Sequence, residues 1–311
     1  MKQWKRVTSV CAVIAGLSLL VPATSHADSD LVLNGDAKCT RCHDESGSPE
    51  LLAIGKTKHG TKADSRTPTC TSCHGPSEKH LAGSGKPDVT FGKKTTSTSE
   101  ARNDVCLTCH QSGDRITWQS SMHATRDVVC SNCHSVHSRE DKTRNKITQT
   151  EVCYTCHKEQ RAQMNRASHH PVPEGKMGCS SCHNVHGSNP KQLVKGSTNE
   201  TCFTCHMEKR GPFVHNHQPV SEDCGICHQP HGTNTPNLLV QRVPMLCVEC
   251  HGPSSHPSQP PALLKGASNL SFNTNARAGW GTEARGCLNC HTNIHGSNST
   301  QNNVTTQRFR R

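Results

Sequence analysis

The chain has 311 residues, a formal net charge of +11, and only 31% hydrophobic and 3% aromatic residues. Side chains this polar cannot bury enough apolar surface to offset the entropy of ordering the backbone, so an ordinary self-sufficient core is excluded. The 21 cysteines and 23 histidines point instead to a bound group that supplies the interior.

Residues 1–27 read as a secretory signal peptide. Lys2, Lys5 and Arg6 make a basic start, Val10 to Val21 an apolar run, and Ala27 closes a small-residue cleavage site. The run falls short of the roughly 20 residues that span a bilayer, which argues against an anchor. Cys11 lies inside it with no lipidation motif around it. The mature chain, 28–311, is expected to form one cytochrome c domain built of di-haem repeats, for the following reasons.

From Cys39 onward one pattern recurs. Cys39, Cys42 and His43 form the first C-x-x-C-H, the attachment signature of a c-type haem: the two cysteines take the vinyl groups as thioethers and the next histidine lies under the iron. A loose repeat unit follows: His59, then Cys70, Cys73, His74 and His80 in "CTSCHGPSEKH", then Cys106, Cys109 and His110 in "DVCLTCH". The next unit has His123, then Cys130, Cys133, His134 and His137 in "CSNCHSVH", then Cys153, Cys156 and His157 in "EVCYTCH". Another has His170, then Cys179, Cys182, His183 and His186 in "CSSCHNVH", then Cys202, Cys205 and His206 in "ETCFTCH". The last has His217, then Cys224, Cys227, His228 and His231 in "CGICHQPH", then Cys247, Cys250 and His251 in "MLCVECH". Successive units are 45 to 49 residues apart. His256 and a Pro-, Gly- and Asn-rich connection over residues 258–286 lead to the final motif, "CLNCHTNIH", with Cys287, Cys290, His291 and His295. The polar tail beyond it ends basic.

Ten motifs use every cysteine of the mature chain. Zinc sites also use Cys pairs at this spacing, and exported proteins form disulfides. Zinc does not require histidine at the next position every time, and disulfides do not require it at all. Ten covalent haems, large and mostly apolar, would form the core that the side chains lack. The expected fold is therefore an elongated, haem-centred multihaem cytochrome c, with short helices, irregular loops and very little β structure.

Outside the motifs and the signal, twelve histidines remain. Ten of them keep register with the motifs: His59, His80, His123, His137, His170, His186, His217, His231, His256 and His295. They match the demand for a second imidazole on every iron. His137, three residues beyond His134, is expected to cap the iron of a neighbouring haem. His169 and His215 stand beside better-placed candidates and read as surplus. Methionine would raise the potential as an axial ligand, but the five of the mature chain hold no register with the motifs. Bis-histidine ligation throughout leaves no open coordination position, so no catalytic residue is assigned and transport of electrons is the expected activity. The positive charge does not imply nucleic acid: it falls by three with the leader, and about twenty haem propionates would outweigh the rest.

"CHGP" and "TFGK" near the start, "SCHNVHGS" and "EKRGP" in the middle, and "CLNCH" with "HGSN" at the end resemble the periplasmic decahaem cytochromes of the MtrA/DmsE family. The likeness covers nearly all of the mature chain. It implies a periplasmic haem wire inserted in an outer-membrane β-barrel porin. Its partners would be periplasmic or inner-membrane redox proteins on one side and an outer-surface multihaem cytochrome or reductase on the other. Relatives serve extracellular metal or dimethyl sulfoxide reduction, or ferrous iron oxidation in the reverse direction, and nothing in the residues sets the direction. The alternatives are a freely diffusing periplasmic shuttle or reservoir and, against the ligand count, an oxidoreductase with its own active haem.

Overall fold

The computed structural model describes residues 36–61, 66–92, 94–251, 287–289 and 291–299. The signal segment, His256, the 258–286 connection, Cys290 and the tail lie outside the described residues. Among the described residues there are short helices and irregular connections but no strand, only isolated antiparallel bridges such as Ser168–Thr233 and His215–Ser297.

Each motif closes one helical turn. The backbone N–H of the motif histidine donates to the carbonyl of the first cysteine, at 2.9 Å for His110, His134, His157, His206, His251 and His291. Residues one turn apart share a face, so sulfur and imidazole reach the same side.

The motifs alternate in where the helix lies. At Cys106, Cys153 and Cys202 a helix runs into the motif, as Ser99–Leu107, Lys146–Cys153 and Thr198–Cys202. These helices begin at capping side chains, Thr98, Asn145 and Ser197, each accepting from a first-turn backbone N–H. At Cys70, Cys130, Cys179 and Cys224 a helical turn instead starts at the motif, as Cys70–His74, Cys130–Cys133, Cys179–Ser181 and Cys224–Ile226.

The free amides at the start of those second turns are met from the preceding motif. Asn103 Oδ1 accepts from Cys130 N at 2.9 Å, Asn199 Oδ1 from Cys224 N at 2.7 Å, and Gln149 Oε1 from Ser180 N at 3.0 Å. An Asp36 carboxylate oxygen accepts from Cys70 N. All four side chains are buried. The buried hydrophobic residues, by contrast, are only Trp118, Val129, Met164, Val172 and Leu193 among the described residues. Polar staples, not an apolar side-chain core, hold successive motifs together.

Candidate haem sites

The interior is a continuous cavity of about 4280 Å³ with mainly apolar walls. The cysteines of the first nine motifs line it from end to end.

The same cavity receives the histidines in facing pairs. His43 faces His80, His110 faces His59, and His74 faces His137, with ring centroids 6.1, 5.9 and 6.3 Å apart. His157 faces His123 and His134 faces His186, at 6.0 and 6.1 Å. His206 faces His170 at 6.4 Å, His183 faces His231 at 6.0 Å, His251 faces His217 at 6.0 Å, and His228 faces His295 at 6.0 Å. Each pair joins one motif histidine to one spare histidine of the set read from the sequence. The tenth motif histidine, His291, is described, but its expected counterpart His256 is not.

The pairs fit an iron held between two imidazoles. Two metal–nitrogen bonds of about 2 Å, plus roughly 1.2 Å from each nitrogen to its ring centre, separate the centroids by about 6 Å. The tautomer fits as well. In seven of these histidines, His74, His80, His123, His137, His170, His183 and His228, Nδ1–H donates to a backbone carbonyl at 2.7–3.1 Å. An Nδ1 that donates leaves the Nε2 lone pair free for a metal. Desolvation by burial holds the pKa of His74, His186, His231 and His295 below the ordinary value, which favours the neutral, ligating form.

The partner of His137 departs from the simplest expectation. It passes over the motif at Cys106 and reaches the motif at Cys70, two motifs back. His186 and His231 do the same, facing His134 and His183, while His123, His170 and His217 face the motif histidine that follows their own unit's first motif. The backbone explains this skip. Bridges such as Ser168–Thr233, two residues before His170 and two after His231, fold a later unit back against an earlier one. Gly232 sits in that bridge at φ +139°, where a Cβ would lie 2.3 Å from the Gln163 carbonyl oxygen, so the close approach requires glycine.

Among the described residues, His169 and His215 join no such pair. His169 Nδ1 contacts the Arg166 carbonyl at 2.6 Å and Nε2 the Glu174 carboxylate at 3.0 Å, so both ring nitrogens are engaged, and Glu174 raises its pKa. His215 Nε2 donates to the Ser299 carbonyl at 3.1 Å beside the Ser297 bridge.

The cysteines record the order of the motifs. First cysteines are near neighbours in the pairs Cys39–Cys70, Cys106–Cys130, Cys153–Cys179, Cys202–Cys224 and Cys247–Cys287. Between those pairs the electrostatic neighbours are Cys73 and Cys109, Cys133 and Cys156, Cys182 and Cys202, and Cys227 and Cys250. The motifs therefore form one unbranched series in sequence order.

Sequence reasoning missed the staples Asp36, Asn103, Gln149 and Asn199. A signal was present: Asp36, Asn103 and Asn199 all stand three residues before the first cysteine of a motif. It also missed the backbone that returns to the motif histidines. Lys191 and Gln192, and Asn237 and Leu238, adopt left-handed φ of 50–59°, and the carbonyls of Lys191 and Asn237 accept from His183 and His228. Such residues cost about 1–3 kcal/mol each and persist where the surroundings impose them.

The doubled CXXCH motif family matches residues 169–211 and 217–256, and the cytochrome c-type protein NrfB-like family matches residues 70–148. Over 277 residues the chain is 42% identical to the multiheme cytochrome MtrA of Shewanella baltica, an alignment that covers 88% of this chain and 81% of that protein. Over 150 residues it is 31% identical to the cytochrome c-type protein NrfB of Haemophilus influenzae, covering 39% of this chain and 64% of the relative.

Proposed function

From the premise that the chain belongs to the MtrA family of multihaem cytochromes and carries electrons on covalently bound c-type haems, we propose that it is the wire of an outer-membrane electron conduit. Ten haems are attached at the ten motifs, with His43, His74, His110, His134, His157, His183, His206, His228, His251 and His291 as proximal ligands. Their distal ligands are, in the same order, His80, His137, His59, His186, His123, His231, His170, His295, His217 and His256. The observation that carries this reading is the set of nine facing imidazole pairs strung along a cavity whose motifs follow sequence order.

A haem with two imidazoles supplies a one-electron couple and exchanges no ligand. The residues of the chain do the rest. The thioether cysteines fix the spacing, and the carbonyls on Nδ1 hold seven of the imidazoles in the ligating tautomer. At the nine described pairs the facing imidazoles leave no coordination position for substrate, which favours a carrier over an oxidoreductase. The unbranched series gives electrons one route, with the motif at Cys39 at one end and that at Cys287 at the other.

The signal-like residues 1–27 and the family premise support a periplasmic location for the mature chain, 28–311. Its end groups would then meet a periplasmic or inner-membrane redox partner and, through a β-barrel porin, an outer-surface multihaem cytochrome or reductase. No described helix is long and apolar enough to cross a membrane, and a polar-walled barrel lumen would accommodate the loops and propionates of such a chain.

Two measurements test the proposal. The reduced protein should bind negligible carbon monoxide and show a wholly low-spin spectrum; one stoichiometric high-spin haem would overturn the closed ligation. In sealed liposomes carrying the barrel partner, with acceptor inside and reductant outside, electrons should cross faster with this protein than with the barrel alone. Equal rates would leave a freely diffusing periplasmic shuttle as the function.

A further inference from the structure

Seven of the paired imidazoles hydrogen-bond a backbone carbonyl through Nδ1, and His43 contacts the Ser48 hydroxyl at 3.4 Å, whereas His134 meets a carboxylate. His134 Nδ1 lies 2.7 Å from a carboxylate oxygen of Asp141. Among the described residues no other paired histidine has a carboxylate at hydrogen-bond length; Glu208, beside His206, is 3.8 Å away on an exposed surface. The contact has a structural origin. In the two later units the chain after the motif returns a backbone carbonyl, that of Lys191 or Asn237, through a left-handed turn and an isolated bridge. The unit at His134 has the sequence "SVHSREDK" there and no such bridge, and the Asp141 side chain takes the place of the carbonyl.

Asp141 is held in place. Its other oxygen accepts from Thr143 N at 3.1 Å, and its side chain is only 18% exposed, so solvent and salt screen it weakly. A carboxylate draws the Nδ1 proton toward itself and makes the imidazole a stronger electron donor than a carbonyl does. A stronger donor stabilises ferric over ferrous iron and lowers the potential. We propose that Asp141 is a redox-tuning residue that makes the haem on Cys130 and Cys133 the lowest-potential centre among the haems with described ligand pairs. That haem is fourth in the series, so electrons passing in either direction cross one uphill step there.

The proposal rests on the ligation of His134 and His186 proposed above, and the test separates the two. Asp141→Asn keeps an oxygen acceptor but removes the charge. In a spectroscopic potentiometric titration of the holoprotein, about a tenth of the haem absorbance, at the low-potential edge, should move upward while covalent haem content is unchanged. Glu151→Gln removes a charge that pairs with Lys142 at 2.8 Å and does not touch His134; its curve should overlay that of the unmodified protein. An Asp141→Asn curve that also overlays, or an equal shift from Glu151→Gln, would overturn the proposal. His186→Met provides an arm independent of Asp141. It raises the potential of the same haem, and the fraction that moves should start from the low edge; a start elsewhere in the curve would also overturn the proposal. A high-spin haem in the unmodified protein would instead count against the ligation itself.

Discussion

At the scale of residues, the facing histidines are joined across long stretches of chain by short-range chemistry. His134 and His137 are three residues apart, yet their rings serve different pairs, with His186 at 6.1 Å and His74 at 6.3 Å. His137→Met should therefore raise the potential of the haem on Cys70 and Cys73 and leave the one on Cys130 and Cys133 in place, with all ten haems still attached. Identification of the shifted centre by magnetic resonance checks this; a shift at Cys130 and Cys133 would contradict the pairing. Ring orientation adds a second expectation. The planes of His59–His110 and His123–His157 meet at 81° and 86°, whereas those of His134–His186 and His228–His295 meet at 15°. Crossed ligand planes leave the two iron d orbitals that mix with the imidazoles nearly degenerate. The oxidised protein should accordingly show a large-g electron resonance signal from those two haems, and His123→Met should remove part of it.

At the scale of elements, the interest lies in how helical turns of three to nine residues persist. Isolated helices this short are unstable in water, so their ends must be held from outside. Asn199 holds one: it accepts from Cys224 N and donates to the carbonyls of Val220 and Ser221 at 3.0 and 3.2 Å. Asn199→Ala leaves those groups without that partner and should destabilise the local structure by about 1–3 kcal/mol. Faster hydrogen exchange over residues 220–228, with exchange around Asn103 unchanged, is the expected result. These staples were only partly legible in the sequence. An Asn three residues before a cysteine is visible, but its role depends on a backbone N–H 25 residues away. The left-handed turns at Lys191 and Asn237 were not legible at all, because neither residue is a glycine and the requirement comes from the imidazole waiting for the carbonyl.

At the scale of the whole molecule, a cavity of about 4280 Å³ with so few buried apolar side chains cannot stay open by itself. Covalent haem must then be folding free energy as well as cofactor. The chain produced without haem attachment should lack the compact state, with a far-ultraviolet circular dichroism spectrum near that of a coil and rapid proteolysis. A protease-resistant apoprotein would show that the staples suffice without the haems. The skip in ligand pairing has a consequence here too. Because His137, His186 and His231 each reach two motifs back, each of these three units is clamped to its predecessor, and loss of one of these distal histidines should loosen two units.

The sequence alone displays the ten C-x-x-C-H motifs, the motif histidines and the set of ten spare histidines. Thioether attachment is local, and its chemistry dictates residue types at fixed short spacing. It also determined that helices would be short and the interior non-protein, since composition bounds how much apolar surface a chain can bury. Only the tertiary structure decided which imidazole faces which, that His169 and His215 stand aside, and that Asp141 takes a carbonyl's place behind His134. Each of those contacts joins groups from separate loops, and the bridges and staples that bring them together leave no spacing rule in the chain.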